Sequence, residues 1–339
     1  MADAIVHGGN LHAAAQRYGI AYAQWLDLST GINPHGYPVP PVPAEAWRRL
    51  PDEGDDFAAC AAHYYGAPDA QHVLPVAGSQ AAIRALPQLL PRAAVAIAPL
   101  TYSEYAPAFE RAGHRIVPLD LACDTLPDDV THAVVVNPNN PTADHLSAAK
   151  LLQWHAQLAA RGGTLVLDEA FADALPAAAS LAAYTDRPGL VVLRSPGKFF
   201  GLAGVRAGFV LGEPALLGRL RDLLGAWTVS GPARHAVNAA FKDLVWQSEM
   251  RAQLATASAR LTRLLQAQRF SIHSTPLFAW TADPRAVGLH HALASRGIWT
   301  RLFPVSASVR FGLPGTEHEW LRFEQALSES LSAIDTRAG

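Results

Sequence analysis

Short apolar runs alternate with amphipathic helical patterns through the middle of this chain. The apolar runs are Ala94 to Ala98, Ile116 to Leu119, Ala133 to Val136, Thr164 to Leu167, Leu190 to Leu193 and Ala207 to Leu211. Helical patterns lie between them, including Glu104 to Ala112 and Asp144 to Ala160. Continuous apolar strands joined by crossover helices are typical of a mostly parallel sheet that is covered on both faces. The pattern therefore predicts a large α/β domain over residues 44–228.

The two ends of the chain follow other patterns. Residues 1–43 carry a helix pattern that begins with Asn10 as N-cap and ends at Gly19, followed by an extended proline-rich run. Residues 229–339 contain a long helical stretch, short strands and two more helices. Their predicted bounds are Ala233 to Gln268 for the helical stretch, Phe270 to His273, Leu277 to Thr281, Ile298 to Arg301 and Ser308 to Phe311 for the strands, and Asp283 to Arg296 and Glu317 to Ile334 for the helices. We expect a smaller α+β domain, with residues 1–43 as an arm that packs on it.

Composition narrows the classes of partner. Half of the 339 residues are hydrophobic and 17% are charged, as in a globular protein, and the formal net charge of -2 provides no basic field for nucleic acid. No apolar run is long enough to cross a bilayer, and the first residues lack the pattern of a signal peptide. The two cysteines, Cys60 and Cys123, are far apart, and no histidine spacing indicates a metal site. We expect a cytoplasmic protein with a small-molecule ligand, without nucleic acid, membrane or metal.

Lysine is scarce in this chain, so the position of each lysine carries information. Lys150 and Lys242 lie in amphipathic helical patterns, where a lysine is usually solvated. Lys198 instead follows the apolar strand 190–193, within the turn S-P-G-K and beside two phenylalanines. A desolvated lysine is a nucleophilic amine suited to Schiff-base chemistry, whereas the alternative is a structural or surface lysine. A phosphate-binding P-loop is excluded, because Val192 and Phe199 stand where that motif needs Gly and Ser or Thr.

Polar residues follow several of the predicted strands. The segment Asn137 to Thr142 reads N-P-N-N-P-T, Asp168 and Glu169 follow the next strand, and Arg194 and Ser195 precede Lys198. Tyr102 follows the strand that ends at Ala98. Because ligands of parallel sheets bind at the carboxyl ends of the strands, we expect these residues to share one edge. A helix is predicted from about Gln80, and its glycine-led N-terminus, with Gly78 and Ser79, is either a phosphate seat or an ordinary turn.

Six motifs in one order carry a resemblance to a known family. They are G-S-Q, the tyrosine at 102, N-P-N-N-P-T, D-E-A-F, S-P-G-K and G-L-A-G-V-R-A-G-F. In this order they resemble the class I/II aminotransferase group of fold-type I pyridoxal phosphate enzymes, over essentially the whole chain. The opening H-G-G-N and L-D-L-S-T-G-I-N-P-H-G and the ending S-V-R-F-G-L-P-G are similar to a decarboxylase branch that acts on a phosphorylated amino acid. The resemblance implies the three-layer aspartate aminotransferase-like fold, a pyridoxal 5'-phosphate cofactor and a homodimer.

The resemblance also assigns roles to single residues. Lys198 would form a Schiff base with the cofactor and reprotonate the substrate carbon, and Asp168 would pair with the ring nitrogen. The other implied cofactor contacts are Gly78, Ser79, Gln80, Tyr102, Asn140, Ser195 and Arg206, with Tyr102 stacked on the ring and Arg206 gripping the phosphate. The implied substrate contacts are His7, Gly31, Asn33, Asn140, Arg301 and Arg310. For Arg301 the alternative is a solvated arginine at a strand end.

Three positions depart from the family pattern. Phe171 replaces a tyrosine, Gly197 replaces a serine or threonine before the lysine, and Leu50 replaces a tyrosine that reaches the neighbouring subunit.

Composition and spacing do not separate a decarboxylase from an aminotransferase of the histidinol-phosphate type, since both use the same cofactor contacts. A cofactor-sensing domain of a transcriptional regulator is disfavoured, because no DNA-binding module precedes the fold.

Overall fold

The computed structural model describes residues 7–338, and these form both strands and helices. The strands are β1 Leu26–Asp27, β2 Val73–Val76, β3 Ala94–Ile97, β4 Arg115–Pro118, β5 His132–Val136, β6 Thr164–Asp168, β7 Leu190–Arg194, β8 Gly208–Leu211, β9 His273–Thr275, β10 Phe278–Ala282, β11 Ile298–Trp299, β12 Arg301–Phe303 and β13 Ser308–Gly312. The α-helices are α1 Leu11–Tyr18, α2 Ala44–Arg48, α3 Phe57–Tyr65, α4 Ser79–Ala85, α5 Tyr105–Arg111, α6 Ala148–Ala159, α7 Pro214–Leu224, α8 Gly231–Lys242, α9 Leu244–Ala267, α10 Ala286–Ala294 and α11 Glu317–Ala338.

Backbone contacts divide the chain into two compact units. The large unit comprises residues 36–140 and 144–249, and the small unit comprises the residues up to His35, Pro141–Ala143 and the residues from Met250 on. The predicted domain boundaries lie after residues 43 and 228, whereas the two units divide after residues 35 and 249. The predicted boundaries stay predictions.

A seven-stranded sheet forms the centre of the large unit. Its strand order is β2-β8-β7-β6-β5-β3-β4. Strand β8 pairs antiparallel with both of its neighbours, and the other pairs are parallel. The predicted, mostly parallel α/β fold is therefore confirmed.

Both faces of this sheet are covered, which explains the continuous apolar strands. Val166 and Val191 belong to a core cluster that includes Ile83 and Phe109 from helices α4 and α5. The intervening residue Leu165 points to the opposite face and is also fully buried. A strand that is buried on both faces has no polar side, so its sequence shows no alternation.

The small unit holds two further sheets. One is antiparallel with the order β12-β13-β10-β9, and the other is the parallel pair β1 and β11. Helix α1 begins after Asn10, whose side chain accepts a hydrogen bond from the Ala13 amide, and it ends at Gly19 in the left-handed conformation. The cap residues predicted for this helix are therefore the observed ones.

Three predicted elements of the C-terminal third differ from the structure. The helical stretch 233–268 is two helices, because the Asp243 side chain accepts a hydrogen bond from the Trp246 amide and starts a new helix there. The strand predicted at 270–273 lies at 273–275, where it pairs with β10. The strand predicted at 298–301 is interrupted at Thr300, so that β11 and β12 join different sheets.

Candidate active site

One pocket of the large unit gathers the polar residues that follow the strands. Val136, at the carboxyl end of β5, lines it together with the end of β6 and the loop after β7. The nine residues that the resemblance assigns to the cofactor all line this pocket: Gly78, Ser79, Gln80, Tyr102, Asn140, Asp168, Ser195, Lys198 and Arg206. They come from five separate segments of the chain, and the sheet topology brings them to one place.

One corner of the pocket combines a glycine, two serines and an arginine. Gly78 has a positive φ of 76°, and a Cβ atom placed on it would lie 2.9 Å from Nη2 of Arg206. Glycine therefore allows the guanidinium to approach the backbone where helix α4 begins. The Ser195 hydroxyl donates to Oγ of Ser79 at 2.9 Å. Hydroxyl groups, a helix start and an arginine together are suited to hold a phosphate group.

Lys198 lies in a tight turn between strand β7 and buried aromatic residues. Its backbone N-H donates to the Ser195 carbonyl at 3.3 Å, while Phe199 and Phe200 are completely buried. The Lys198 ammonium lies 5.7 Å from the centre of the Phe171 ring, which also lines the pocket. The buried phenylalanines anchor the turn in the core, and the lysine side chain is directed to the pocket.

Asp168 ends strand β6 as a buried carboxylate with two hydrogen-bond donors. Tyr105 donates its hydroxyl to Oδ2 at 2.7 Å, and the amide of Ala170 donates to Oδ1 at 2.9 Å. Burial raises the pKa of Asp168, while these two hydrogen bonds and the charge of Lys198 act in the opposite direction. Sequence reasoning missed Tyr105, although the segment Y-S-E-Y places it three residues after Tyr102.

Tyr102 supplies one of the aromatic rings that line the pocket. Its hydroxyl donates to Oε1 of Gln80 at 3.0 Å, and its ring packs edge-on against Tyr105 at a centroid distance of 6.1 Å. Burial, followed by the charge of Asp168, raises the pKa of Tyr102 to about 12. The hydroxyl is therefore neutral at physiological pH, and Tyr102 acts as a ring and a hydrogen-bond donor.

The three asparagines that follow strand β5 have different surroundings. The Asn137 side chain bonds both the amide and the carbonyl of Leu146, and Asn139 accepts from the Thr101 hydroxyl. Asn140 lines the pocket. Two of the asparagines thus shape the loop, and this shape presents the third.

The acid pair after strand β6 serves two purposes. Asp168 faces the pocket, whereas Glu169 forms a buried ion pair with Arg194, which also pairs with Asp173. Glu169 further accepts hydrogen bonds from the Ser180 hydroxyl and the Leu181 amide. This network connects the strand end that carries Asp168 with the strand end that precedes Ser195.

The candidate substrate residues other than Asn140 belong to the small unit. Arg301 on β12 is the register partner of Arg310 on β13, and Nη2 of Arg310 donates to the Ser29 carbonyl at 2.6 Å. Burial lowers the pKa of both arginines, and the charge of Arg301 lowers that of Arg310 further, to about 9. An anion that binds both cations would relieve this repulsion.

The N-terminal candidates differ in exposure. His7 is exposed, whereas Gly31 and Asn33 are buried. The side-chain oxygen of Asn33 accepts a hydrogen bond from the amide of His35 at 2.9 Å. The structure leaves the predicted substrate contacts of these three residues untested.

Residues 7–338 contain neither a candidate metal site nor a candidate membrane span. Within this range no group of three or more His, Cys, Asp or Glu side chains is arranged to hold a metal ion. No described helix combines the length and the apolar character that a membrane span needs.

A sequence model of the aminotransferase class I and II family matches residues 46–326, and the chain belongs to this family. Among curated proteins, a threonine-phosphate decarboxylase of Pseudomonas aeruginosa is 48% identical over 95% of this chain and 96% of its own length. Another, from a Sinorhizobium species, is 41% identical over 92% and 94%. A histidinol-phosphate aminotransferase of Mycobacterium tuberculosis is 32% identical over 76% and 72%.

Solved structures share the fold. A histidinol-phosphate aminotransferase of Sinorhizobium meliloti, in complex with pyridoxal-5'-phosphate, superposes with a TM-score of 0.83 at 18% identity and covers 98% of this chain and 100% of its own. An L-threonine-O-3-phosphate decarboxylase of Porphyromonas gingivalis superposes with a TM-score of 0.74 at 17% identity and covers 90% and 99%. The predicted family and fold are both confirmed.

The structure gives a physical context for each departure from the family pattern. A Cβ atom on Gly197 would lie 2.8 Å from the Cα atom of Ala203, so the turn before Lys198 admits only glycine without a backbone shift. Phe171 is buried against the pocket, where it offers an apolar ring without a hydroxyl. The Leu50 side chain is 66% exposed.

Proposed function

We propose that this protein is a pyridoxal 5'-phosphate-dependent enzyme that decarboxylates L-threonine O-phosphate to (R)-1-amino-2-propanol O-phosphate, a step of cobalamin biosynthesis. The observation that carries the proposal is the pocket in which Lys198, Asp168 and the phosphate-binding corner meet. The decarboxylase reading is further supported by the 48% identity to a relative with that name over almost the full length of both chains.

The residues of the pocket fit this cofactor. The corner of Gly78, Ser79, Ser195 and Arg206 would hold the phosphate, and the absence of a Cβ atom on Gly78 leaves the room that the arginine occupies. Asp168, a buried carboxylate that lines the pocket, would pair with the protonated ring nitrogen. Tyr102 would stack on the ring, Asn140 would donate to its phenolic oxygen, and Gln80 holds the Tyr102 hydroxyl.

The chemistry divides between the cofactor and the chain. When bound, the cofactor supplies an electron sink for the bond that breaks at the substrate's α-carbon. The carboxylate leaves as carbon dioxide, and the electron pair of the broken bond stays with the substrate. Lys198 then delivers a proton to the same carbon from its ammonium group. The buried Phe171 gives the pocket an apolar surface beside Lys198.

Substrate recognition needs cations, since L-threonine O-phosphate carries a carboxylate and a phosphate. We propose that Arg301 and Arg310 bind these anionic groups, with His7, Gly31, Asn33 and Asn140 as further contacts. The support is electrostatic, because the register places two partly desolvated arginines directly opposite each other. Guanidinium groups suit both ligand groups, as they bind carboxylate and phosphate in a bidentate manner.

A second candidate is an aminotransferase of the histidinol-phosphate type. It is favoured by a 32% identical relative of that name. Both reactions use the same cofactor contacts, so the pocket is compatible with either.

A product assay separates the two candidates. Cofactor-loaded protein is incubated with L-threonine O-phosphate, with and without 2-oxoglutarate, and the phosphorylated product and carbon dioxide are measured. We expect carbon dioxide and aminopropanol phosphate without the 2-oxo acid. A parallel incubation uses histidinol phosphate in place of L-threonine O-phosphate. Turnover that requires the 2-oxo acid, or turnover of histidinol phosphate but not of L-threonine O-phosphate, would favour the aminotransferase over the decarboxylase.

We also propose a homodimer that acts in the cytoplasm. Trp47, Leu50 and Trp227 expose 68%, 66% and 55% of their surface, and the segments that carry them touch, since the Trp227 amide donates to Glu53 at 2.8 Å. Exposed apolar side chains of this size are typical of interaction surfaces. Light scattering should give twice the mass of the chain, and Trp47→Glu with Trp227→Glu should give the monomer. A phosphorylated substrate does not cross lipid bilayers, which supports the proposal that the protein acts in the cytoplasm.

A further inference from the structure

Tyr105 is a buried tyrosine whose hydroxyl is hydrogen-bonded to a residue that lines the pocket. It is the first residue of helix α5, it is 1% exposed, and its hydroxyl donates to Oδ2 of Asp168 at 2.7 Å. Neither its position in the sequence nor the family motifs assign it a role. Tyr105 does not line the pocket itself, whereas Asp168 does.

We propose that Tyr105 is a positioning residue, whose hydroxyl holds the Asp168 carboxylate in the orientation and charge state that bind the protonated ring nitrogen of the cofactor. The inference rests on the proposed function, because it concerns the same cofactor. It adds a role for Tyr105, which would act on the cofactor through Asp168 and not by touching the cofactor itself.

The electrostatics of Asp168 explain why such a residue is needed. The carboxylate is 4% exposed, and burial disfavours its charged form. The adjacent Glu169 opposes the charge as well, while Lys198 favours it. Tyr105 is a neutral donor, and a hydrogen bond from it stabilises the anion without adding a charge that would repel the protonated ring nitrogen.

The surroundings of Tyr105 fix the direction of its hydroxyl. Its ring belongs to the core cluster of the large unit, with Phe109, Val134 and Val166. The same ring packs edge-on against Tyr102, the proposed stacking partner of the cofactor. A phenylalanine at this position would keep the packing and remove only the hydrogen bond, so the role of the hydroxyl can be tested separately from that of the ring.

The test compares two cofactors that differ at the ring nitrogen. Binding of pyridoxal 5'-phosphate and of its 1-deaza analogue, in which carbon replaces that nitrogen, is measured by absorbance with the parent protein and with Tyr105→Phe. We expect Tyr105→Phe to bind pyridoxal 5'-phosphate about tenfold more weakly, as for a lost hydrogen bond to a charged group. Its affinity for the deaza analogue, which gives Asp168 no partner, should equal that of the parent.

A matched control is Tyr37→Phe. Tyr37 is also buried in the large unit, and its hydroxyl also donates to a carboxylate, that of Asp243 at 3.4 Å, away from the pocket. This variant should bind both cofactors as the parent does. In an Asp168→Asn background, Tyr105→Phe should cause no further loss, since the two groups act as one unit.

The outcomes separate this inference from the proposed function. Equal weakening of both cofactors by Tyr105→Phe, or no weakening of either, would overturn the role of Tyr105 while leaving the function intact. A parent protein that binds neither cofactor would instead overturn the function. If Tyr105→Phe does not fold, 3-fluorotyrosine at position 105 keeps the hydroxyl as a stronger donor, and it should tighten binding of pyridoxal 5'-phosphate only. Unchanged or weaker binding would contradict the inference.

Discussion

Arg301 and Arg310 are directly opposite each other on the antiparallel strands β12 and β13. Like charges in register oppose folding, and burial adds to the cost because it disfavours both cations. Two neighbouring guanidinium groups at a partly buried position are suited to bind an anion.

Replacing one arginine should therefore have opposite effects on stability and on anion binding. We expect Arg301→Gln to raise the free energy of unfolding of the ligand-free protein by up to about 1 kcal/mol, as one of two like charges is removed. In cofactor-free protein, which does not turn the ligand over, the same variant should lose the stabilisation that L-threonine O-phosphate gives to the parent. Urea unfolding with and without the ligand measures both. The exposed Arg263→Gln is the control, and an Arg301→Gln protein that is still stabilised by the ligand would argue against the anion site.

Lys198 should be required for covalent attachment of the cofactor and for proton transfer. Lys198→Ala should lose the visible absorbance that the parent shows after dialysis against cofactor-free buffer, and activity should fall by about a thousandfold or more. Lys242→Ala, which removes an exposed lysine paired with Asp56, should behave as the parent does. Circular dichroism checks that both variants fold. Retained absorbance in Lys198→Ala would contradict the assignment.

Gly197 is predicted to be a packing requirement rather than a missing phosphate ligand. Its Cβ position is 2.8 Å from a backbone atom of Ala203, whereas that of Gly204 meets no atom within 4 Å. Gly197→Ser should cost about 1–3 kcal/mol of folding stability, as overpacking does, and should not tighten cofactor binding. Gly204→Ser, seven residues further along, should have no measurable effect. Tighter cofactor binding by Gly197→Ser would show that the serine of other family members could act here.

The ion pairs of Arg194 should contribute to stability far more than exposed ones. Arg194→Met leaves the buried carboxylates of Glu169 and Asp173 without their cation, and we expect a loss of about 3–5 kcal/mol. Arg115→Met removes an exposed pair with Asp129 and should cost less than about 1 kcal/mol. Guanidinium unfolding of the two variants gives the comparison. Similar losses would mean that the buried network contributes no more than a surface pair.

His290 should make the small unit sensitive to acid. It is buried with Nδ1 bonded to Thr300 at 2.8 Å, and burial, helped by the charges of His291, Arg17 and Arg301, lowers its pKa to about 4. The unfolded chain, with an ordinary histidine pKa, binds this proton first, so stability falls as pH falls. Between pH 7 and 5 the loss should be about 2 kcal/mol.

The pH effect can be assigned by substitution. His290→Gln should flatten the decline of the unfolding free energy between pH 7 and 5, whereas His318→Gln, at an exposed position on α11, should leave it as steep as in the parent. An equally steep decline in His290→Gln would assign the effect to other groups, such as His132, whose pKa burial also lowers.

Local sequence alone determined most of the fold and the segments that form the pocket. The apolar runs at 164–167 and 190–193 predicted strands because a doubly covered strand has no polar side. The rarity of lysine and the turn before Lys198 indicated that this residue is functional. The position of Asp168 at the end of an apolar strand indicated the same for this carboxylate. Each of these signals lies within a few consecutive residues, so no knowledge of the packing was needed.

Only the tertiary structure decided which distant groups meet. The hydrogen bond from Tyr105 to Asp168 joins residues 63 positions apart, and the register of β12 and β13 sets Arg301 against Arg310. The split of 298–301 between two sheets likewise followed from pairing with β1 and β13. Strand register and the packing of a helix on a sheet depend on the whole core, because a shift of one residue moves every side chain to the other face. Strand register and helix packing therefore cannot be predicted from the periodicity of the sequence or from its turn residues.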